Sequence, residues 1–307
     1  MIVSLIFLVV GFVLMIRGAD ALVDGAVSVA GRFKIPPIVI GTTLVAIGTS
    51  APEAAISIAA AIRGSTGVSI GNVIGSNITN IFLILGMTAV IAALPIKSHT
   101  QKYELPFVGI ITLLLCLCGV WFGNISRPVA IMFLVMFVGF ILYTIWLARR
   151  NHEPAPKFKK ISNVETIIMI IAGIAGLVIG ADLSVDSAVD IATRIGVSDR
   201  IIGLSIIALG TSLPELVVCV AAAIKREYDM AVGNIVGSNI FNILFVLGTA
   251  AVIRPVPYET AFITDGAIAI MAITMLMIFT AKNSKLGRVA GIAFLGSYVA
   301  YLVYLIG

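Results

Sequence analysis

Charge is what this chain has least of. Only 11% of its 307 residues are Asp, Glu, Lys or Arg, against 60% hydrophobic, and mean hydropathy is +1.14. A soluble domain of this length cannot cover itself with so few charges, so the composition predicts a polytopic membrane protein. Histidine is nearly missing too: His99 and His152 both fall in polar connections. The three cysteines, Cys116, Cys118 and Cys219, stand in apolar runs without disulfide or metal spacing and read as small buried hydrophobes. These scarcities leave no nucleophile–base pair at membrane depth, so neither catalysis nor a cofactor is expected. The pI of about 9.2 does not imply nucleic-acid binding, because the basic residues lie mostly in short connections between apolar runs, as an orientation signal requires. The first apolar stretch lacks a basic leader and a convincing cleavage site, and reads as a first span.

Long apolar runs are what the chain has instead. Crossing the hydrocarbon core takes about 20 apolar residues in a helix, and candidate spans lie near 2–30, 37–62, 68–94, 104–122, 126–148, 163–192, 199–224, 229–253, 261–281 and 288–306. The one evident linker, 149–162, carries Pro154 and Pro156 and divides a half at 1–148 from a half at 163–307. Of the 20 Lys and Arg residues, fourteen fall on one side of this ten-span plan and five on the other, with Arg17 inside the first span. The positive-inside rule then predicts a cytoplasmic linker and both termini outside. Five spans per half is odd, so the halves are expected to insert in opposite senses. The fold class expected is an all-α membrane protein of ten helices in two inverted five-helix repeats, with broken helices around a mid-membrane site.

Within the halves, residues 41–86 recur at 203–248 with a constant offset of 162. One copy reads GTTLVAIGTSAPE and later GNVIGSNITNIFLILG; the other reads GLSIIALGTSLPE and later GNIVGSNIFNILFVLG. In the GN segments 10 of 16 positions are identical, and the identities are mainly small or polar residues, which hydrophobic patterning alone would not favour. A duplicated polar cluster at bilayer depth points to a transport site between repeats. The match extends back to 19–32 and 181–194, pairing Asp20 and Asp24 with Asp182 and Asp186. These four are expected to face water or an ion partner, with Arg17 as the obvious partner of Asp20.

Each copy places one carboxylate, Glu53 or Glu215, inside an apolar segment with no basic residue within a helical turn. An unpaired carboxylate there costs several kcal/mol, so mobile cations are the expected counter-charge. Pro52 and Pro214 break the helix ladder just before each Glu and leave carbonyls available, notably around Ala46 and Ala208. Hydroxyls of Thr49, Ser50, Thr211 and Ser212 join them. In the following span Ser76 and Asn80, like Ser238 and Asn242, are four apart and share a helix face. Oxygen-only ligation suits hard cations such as Na⁺ and Ca²⁺. Asn77 and Asn239 are expected to cap or pack rather than ligate.

The GTSAPE and GTSLPE segments, each followed by GN, GSN and a further Asn, resemble the two alpha repeats of the sodium/calcium exchanger family, and the short linker is similar to its compact prokaryotic members. The resemblance implies four mid-membrane cation sites in a diamond around Glu53 and Glu215. Thr49, Thr211, Ser50, Ser212, Ser76, Ser238, Asn80 and Asn242 would supply side-chain oxygens, and Ala46 and Ala208 carbonyls. It also implies antiport of Na⁺ against Ca²⁺, electrogenic at three Na⁺ per Ca²⁺, in a cell membrane, with no nucleic acid and no obligate protein partner. Potassium-dependent relatives, and certain prokaryotic ones, carry Asp where Asn242 stands; Asn removes that charge, so no potassium requirement is expected. The proton-coupled branch has an acidic residue soon after its GN; Val73, Ile74 and Gly75 stand there in this chain. A calcium/proton antiporter on the same scaffold and a passive cation channel remain the alternatives.

Overall fold

The structure, a computed structural model, describes residues 1–150, 161–196, 208–281 and 284–306. It is almost wholly helical. In chain order the elements are α1 Ile2–Phe33, α2 Pro37–Thr49, α3 Ala51–Arg63, α4 Thr66–Ile91, α5 Thr100–Phe122, α6 Arg127–Arg150, α7 Asn163–Arg194, α8 Leu213–Ile224, α9 Tyr228–Ile253, α10 Ala261–Ala281 and α11 Arg288–Ile306, with a single turn, Ala208–Gly210, before α8. Among the described residues eight helices are long and apolar enough to cross a membrane, nine if the bent pair α2 and α3 is one span. The span expected over 199–224 lies partly outside the described residues, as does most of the linker, including His152. A purely helical chain was expected, but four two-residue strands join it. β1 Leu94–Pro95 pairs antiparallel with β4 Lys285–Leu286, and β2 Asn124–Ile125 with β3 Val256–Pro257. Each ribbon therefore clips one half of the chain to the other.

The polar motifs fold where the helix ladder fails. Pro52 stands in the first turn of α3 and has no N–H to donate to Gly48. The chain bends by 50° between α2 and α3, with Ser50 at φ −85°, ψ 11°. Ser212 repeats that conformation at φ −90°, ψ 3°, ahead of Pro214 in α8. Both serines thus sit in the sparsely allowed bridge region, where many active-site residues are found. In α4 and α9 the ladder widens instead of breaking. A π-helical turn starts at Asn80 and spans Asn80–Leu85, and another starts at Asn242 and spans Asn242–Leu247. Such turns are rare and often mark functional sites.

The helices carrying these motifs are the most enclosed, with α4 and α9 largely buried and α1, α6, α7, α10 and α11 turning broad apolar faces outward. Outward Ile, Leu, Val and Phe are the reverse of a soluble surface and suit a lipid solvent. α1 packs along α7 through a seam of small residues: a Cβ on Gly18 would stand 2.8 Å from the Gly173 carbonyl oxygen, and one on Gly173 2.8 Å from the Leu22 nitrogen. Only hydrogen at these positions lets the two backbones approach so closely. The cysteines are free and buried, as expected.

Candidate cation site

The two bends and the two π-helical turns converge at the middle of the bundle. Glu53 and Glu215 are each only 1% exposed, with Thr49, Ser50, Ser238 and Asn242 at 0%, Asn80 at 1%, Ser212 at 2% and Ser76 at 4%. Nine of the side chains expected at the site are thus fully or nearly fully enclosed. Thr211 is half-buried. Of Ala208 only its place in the turn before α8 is described.

The copies are interleaved rather than juxtaposed. Ser50 donates to Glu215 Oε1 at 2.7 Å, while Thr211 hydrogen-bonds Glu53, which lies in the electrostatic field of Glu215. Thr49 Oγ1 donates to Asn234 Oδ1 at 3.1 Å. The bend serine or threonine of each copy therefore serves the other copy's cluster.

The asparagines divide into positioners and free oxygens. Asn80 Nδ2 donates to Asn239 Oδ1 at 2.9 Å, and Asn242 Nδ2 to Asn77 Oδ1 at 3.3 Å. Asn77 Nδ2 also donates to the Asn239 carbonyl oxygen at 3.2 Å. Asn77 and Asn239 thus hold the amide N–H groups of their neighbours and leave Asn80 Oδ1 and Asn242 Oδ1 free. Ala46 is less available than expected, because its carbonyl already accepts from Ser50 N at 3.0 Å and Thr49 Oγ1 at 3.3 Å.

Six buried oxygens of this cluster have no hydrogen-bond partner: Glu53 Oε2, Glu215 Oε2, Asn80 Oδ1, Asn242 Oδ1, Ser212 Oγ and Ser238 Oγ. Buried polar atoms are almost always satisfied, and unsatisfied carboxylate oxygens are the costliest exceptions. Among the described residues no Lys or Arg forms an ion pair with either Glu. The donor set is hard and anionic, two carboxylates with neutral amide and hydroxyl oxygens, which is the chemistry of Na⁺ and Ca²⁺ ligation.

Two residues of the cluster were not anticipated. Asn72 Nδ2 donates to the Glu53 carbonyl oxygen at 3.2 Å and to Ser57 Oγ at 2.9 Å. Its counterpart Asn234 is fully buried and takes the Thr49 bond. Both are the Asn of the repeated GN pair, so the signal lay in the motif itself. Outside the site, Asp20 and Asp24 are paired, but not with Arg17. Lys225 Nζ lies 3.2 Å from Asp20 Oδ1 and 2.7 Å from Asp24 Oδ1, and Arg17 points outward. The reason is geometric: α1 turns this acidic pair toward the end of α8. Asp182 and Asp186 are exposed, as expected.

A bent, oxygen-lined centre inside a bundle of apolar helices has the makings of a multi-pass membrane protein that handles cations. The chain belongs to the sodium/calcium exchanger family, whose model, described as sodium/calcium exchanger protein, matches residues 3–146 and 165–307. It is 37% identical to the putative antiporter CaxA of Alkalimonas amylolytica, with 98% of both chains covered. It is 30% identical to the sodium/calcium exchanger MaX1 of Methanosarcina acetivorans over 99% of this chain and 98% of that one. Among solved structures it matches the sodium-calcium exchanger NCX_Mj with a TM-score of 0.87 at 33% identity, covering 98% of each chain. The chain is therefore of the compact prokaryotic type, in a family of transporters.

Proposed function

We propose that this protein exchanges Na⁺ for Ca²⁺ across a cell membrane by alternating access, at a site built on Glu53 and Glu215. The observation that carries the reading is the set of six unpartnered buried oxygens, drawn from both copies of the repeat. Ca²⁺ matches the formal charge of the two carboxylates. Several Na⁺ ions sharing the same oxygens would exclude it, and mutually exclusive occupancy is what makes exchange rather than cotransport. Around the two carboxylates, Thr49, Ser50, Ser76 and Asn80 would ligate with Thr211, Ser212, Ser238 and Asn242, assisted by the Ala46 and Ala208 carbonyls. Asn242, neutral where a potassium-dependent exchanger has Asp, makes the cycle independent of K⁺. Three Na⁺ per Ca²⁺ would move one net charge, worth about 2.3 kcal/mol per 100 mV, so the membrane potential would bias its direction.

The arrangement in the membrane is ten spans in two inverted halves, 1–148 and 163–307, with a cytoplasmic 149–162 linker and both termini outside. This rests on the charge distribution and on the odd number of spans per half. The deciding experiment is ⁴⁵Ca²⁺ uptake into sodium-loaded proteoliposomes with pH clamped on both sides. Uptake that needs the outward Na⁺ gradient, persists without K⁺ and responds to an imposed potential supports the reading. Uptake driven by a pH gradient without Na⁺ would replace it with calcium/proton antiport, and flux without any counter-ion would replace it with a channel.

A further inference from the structure

A third carboxylate enters the apolar interior away from the repeated motifs. Asp265 is the fifth residue of α10, and its Oδ1 is buried without a hydrogen-bond partner. Tyr301 of α11 hydrogen-bonds the carboxylate. Among the described residues no cation pairs with it. Glu104, at the matching start of α5, has an imidazole nearby instead: His99 Nδ1 stands 3.5 Å from its Oε1.

Asp265 lines a cavity of about 390 Å³ that runs between α4, α10 and α11 to Ser76 and Thr211, two members of the central cluster. Further oxygens mark the way. Asn72 and Tyr298 also line it, and Tyr298 OH lies 3.3 Å from Thr79 Oγ1. The cavity lies toward the face where α4 begins and α11 ends, the face on which the Arg254 guanidinium meets Gly64.

We propose that Asp265, with the Tyr298 and Tyr301 hydroxyls, forms a peripheral Na⁺ site that feeds the central cluster through this cavity. The charge match decides the ion. One carboxylate among neutral oxygens balances a single positive charge, and oxygen donors of this kind suit a hard cation. A carboxylate lining a low-dielectric cavity raises the local cation concentration within it. The inference rests on the exchange reading above and deepens it by giving Na⁺ a route.

The test varies Na⁺ on the face carrying the C-terminus, in oriented proteoliposomes at constant ionic strength. For Asp265→Asn the half-saturating Na⁺ concentration on that face should rise at least about fivefold, as loss of one nearby unit charge implies. The half-saturating Ca²⁺ concentration should move far less, and Na⁺ dependence on the opposite face should not move. Asp265→Glu should restore the response, and Tyr301→Phe should shift it in the same direction as Asp265→Asn, which keeps the test open if one variant does not fold. Unchanged Na⁺ dependence in well-folded Asp265→Asn, with Na⁺-driven calcium flux intact in the parent protein, overturns this proposal alone. Absence of Na⁺-driven flux in the parent overturns the exchange reading itself.

Discussion

Lys225 Nζ sits 2.7 Å from Asp24 Oδ1, tying the end of α8 to α1, whereas Arg63, its counterpart 162 residues earlier, has no ion partner among the described residues. Asp182 and Asp186, the counterparts of Asp20 and Asp24, are likewise unbridged by any described Lys or Arg. Among the described residues the repeat thus has one such latch made and the other unmade, and the made one would hold the Lys225 face closed. Half-exposed pairs of this kind contribute about 1 kcal/mol or less, so Lys225→Ala should speed opening on that face by up to about fivefold. A cysteine at Val23, fully buried beside Asp24, reports it in a background lacking the native cysteines. Labelling by an impermeant maleimide from the Lys225 face should rise; an unaltered rate removes the latch from the mechanism.

Asn239 and Asn77 hold the Asn80 and Asn242 side-chain amides. Asn239→Ala releases Asn80 Nδ2 and lets the amide turn, so the half-saturating Ca²⁺ concentration should rise about tenfold while the carboxylates stay in place. Glu53→Gln or Glu215→Gln should abolish flux in a folded, extractable protein. An Asn239→Ala exchanger with normal Ca²⁺ affinity contradicts the positioning role, and normal flux in either Gln variant contradicts the site.

Two equivalent glycines should behave oppositely. A Cβ on Gly237 would stand 2.4 Å from the Thr42 carbonyl oxygen, while one on Gly75 meets nothing within 4 Å. Gly237→Ala should destabilise the detergent-solubilised protein by about 1–3 kcal/mol through backbone displacement. Gly75→Ala should leave its melting temperature equal or raised, since Ala outscores Gly within a helix. Equal effects would show that α9 and α2 pack more loosely than described.

Glu227, just before α9, is half-buried beside Asp229 and Asp24. Burial first, then those carboxylates, holds its acid above the usual carboxylate range. The nearby cations are committed elsewhere, Lys225 to Asp20 and Asp24 and Lys97 to Asp229. A raised carboxyl pKa contributes stability that is fully present below the unfolded-state value and is lost as pH rises through the folded one. Glu227→Gln should therefore raise thermal stability at neutral pH and leave it nearly unchanged at pH 4. A benefit that grows toward acid would reverse the assignment.

Much of the site was legible because a carboxylate within an apolar run has few innocent explanations, and Glu53 and Glu215 sit in copies aligned residue by residue. What could not be read was the partnering across copies. Nothing local tells Ser50 that its acceptor is Glu215, or Asn77 that it holds Asn242, because those distances are set by packing of the α2–α3 bend against α8 and of α4 against α9. The π-helical turns were invisible for a similar reason, since no composition marks where a ladder slips by one residue. Asp265 escaped notice because the residue 162 positions before it is Tyr103, so repeat matching passed over it. Arg17 was misread as a partner because sequence proximity along α1 does not say which way the helix faces.

The two short ribbons bear on how such a molecule could work. β1 with β4, and β2 with β3, fasten the ends of α4, α5, α9 and α10 and the start of α11 to one another, so neighbouring helices from both halves are stapled into one stationary block. α1 and α7 belong to no ribbon and meet each other along bare backbone at Gly18 and Gly173. Packed on small residues and free of both ribbons, this pair is what an alternating-access cycle would move, a shuttle running on a glycine rail past the stapled helices.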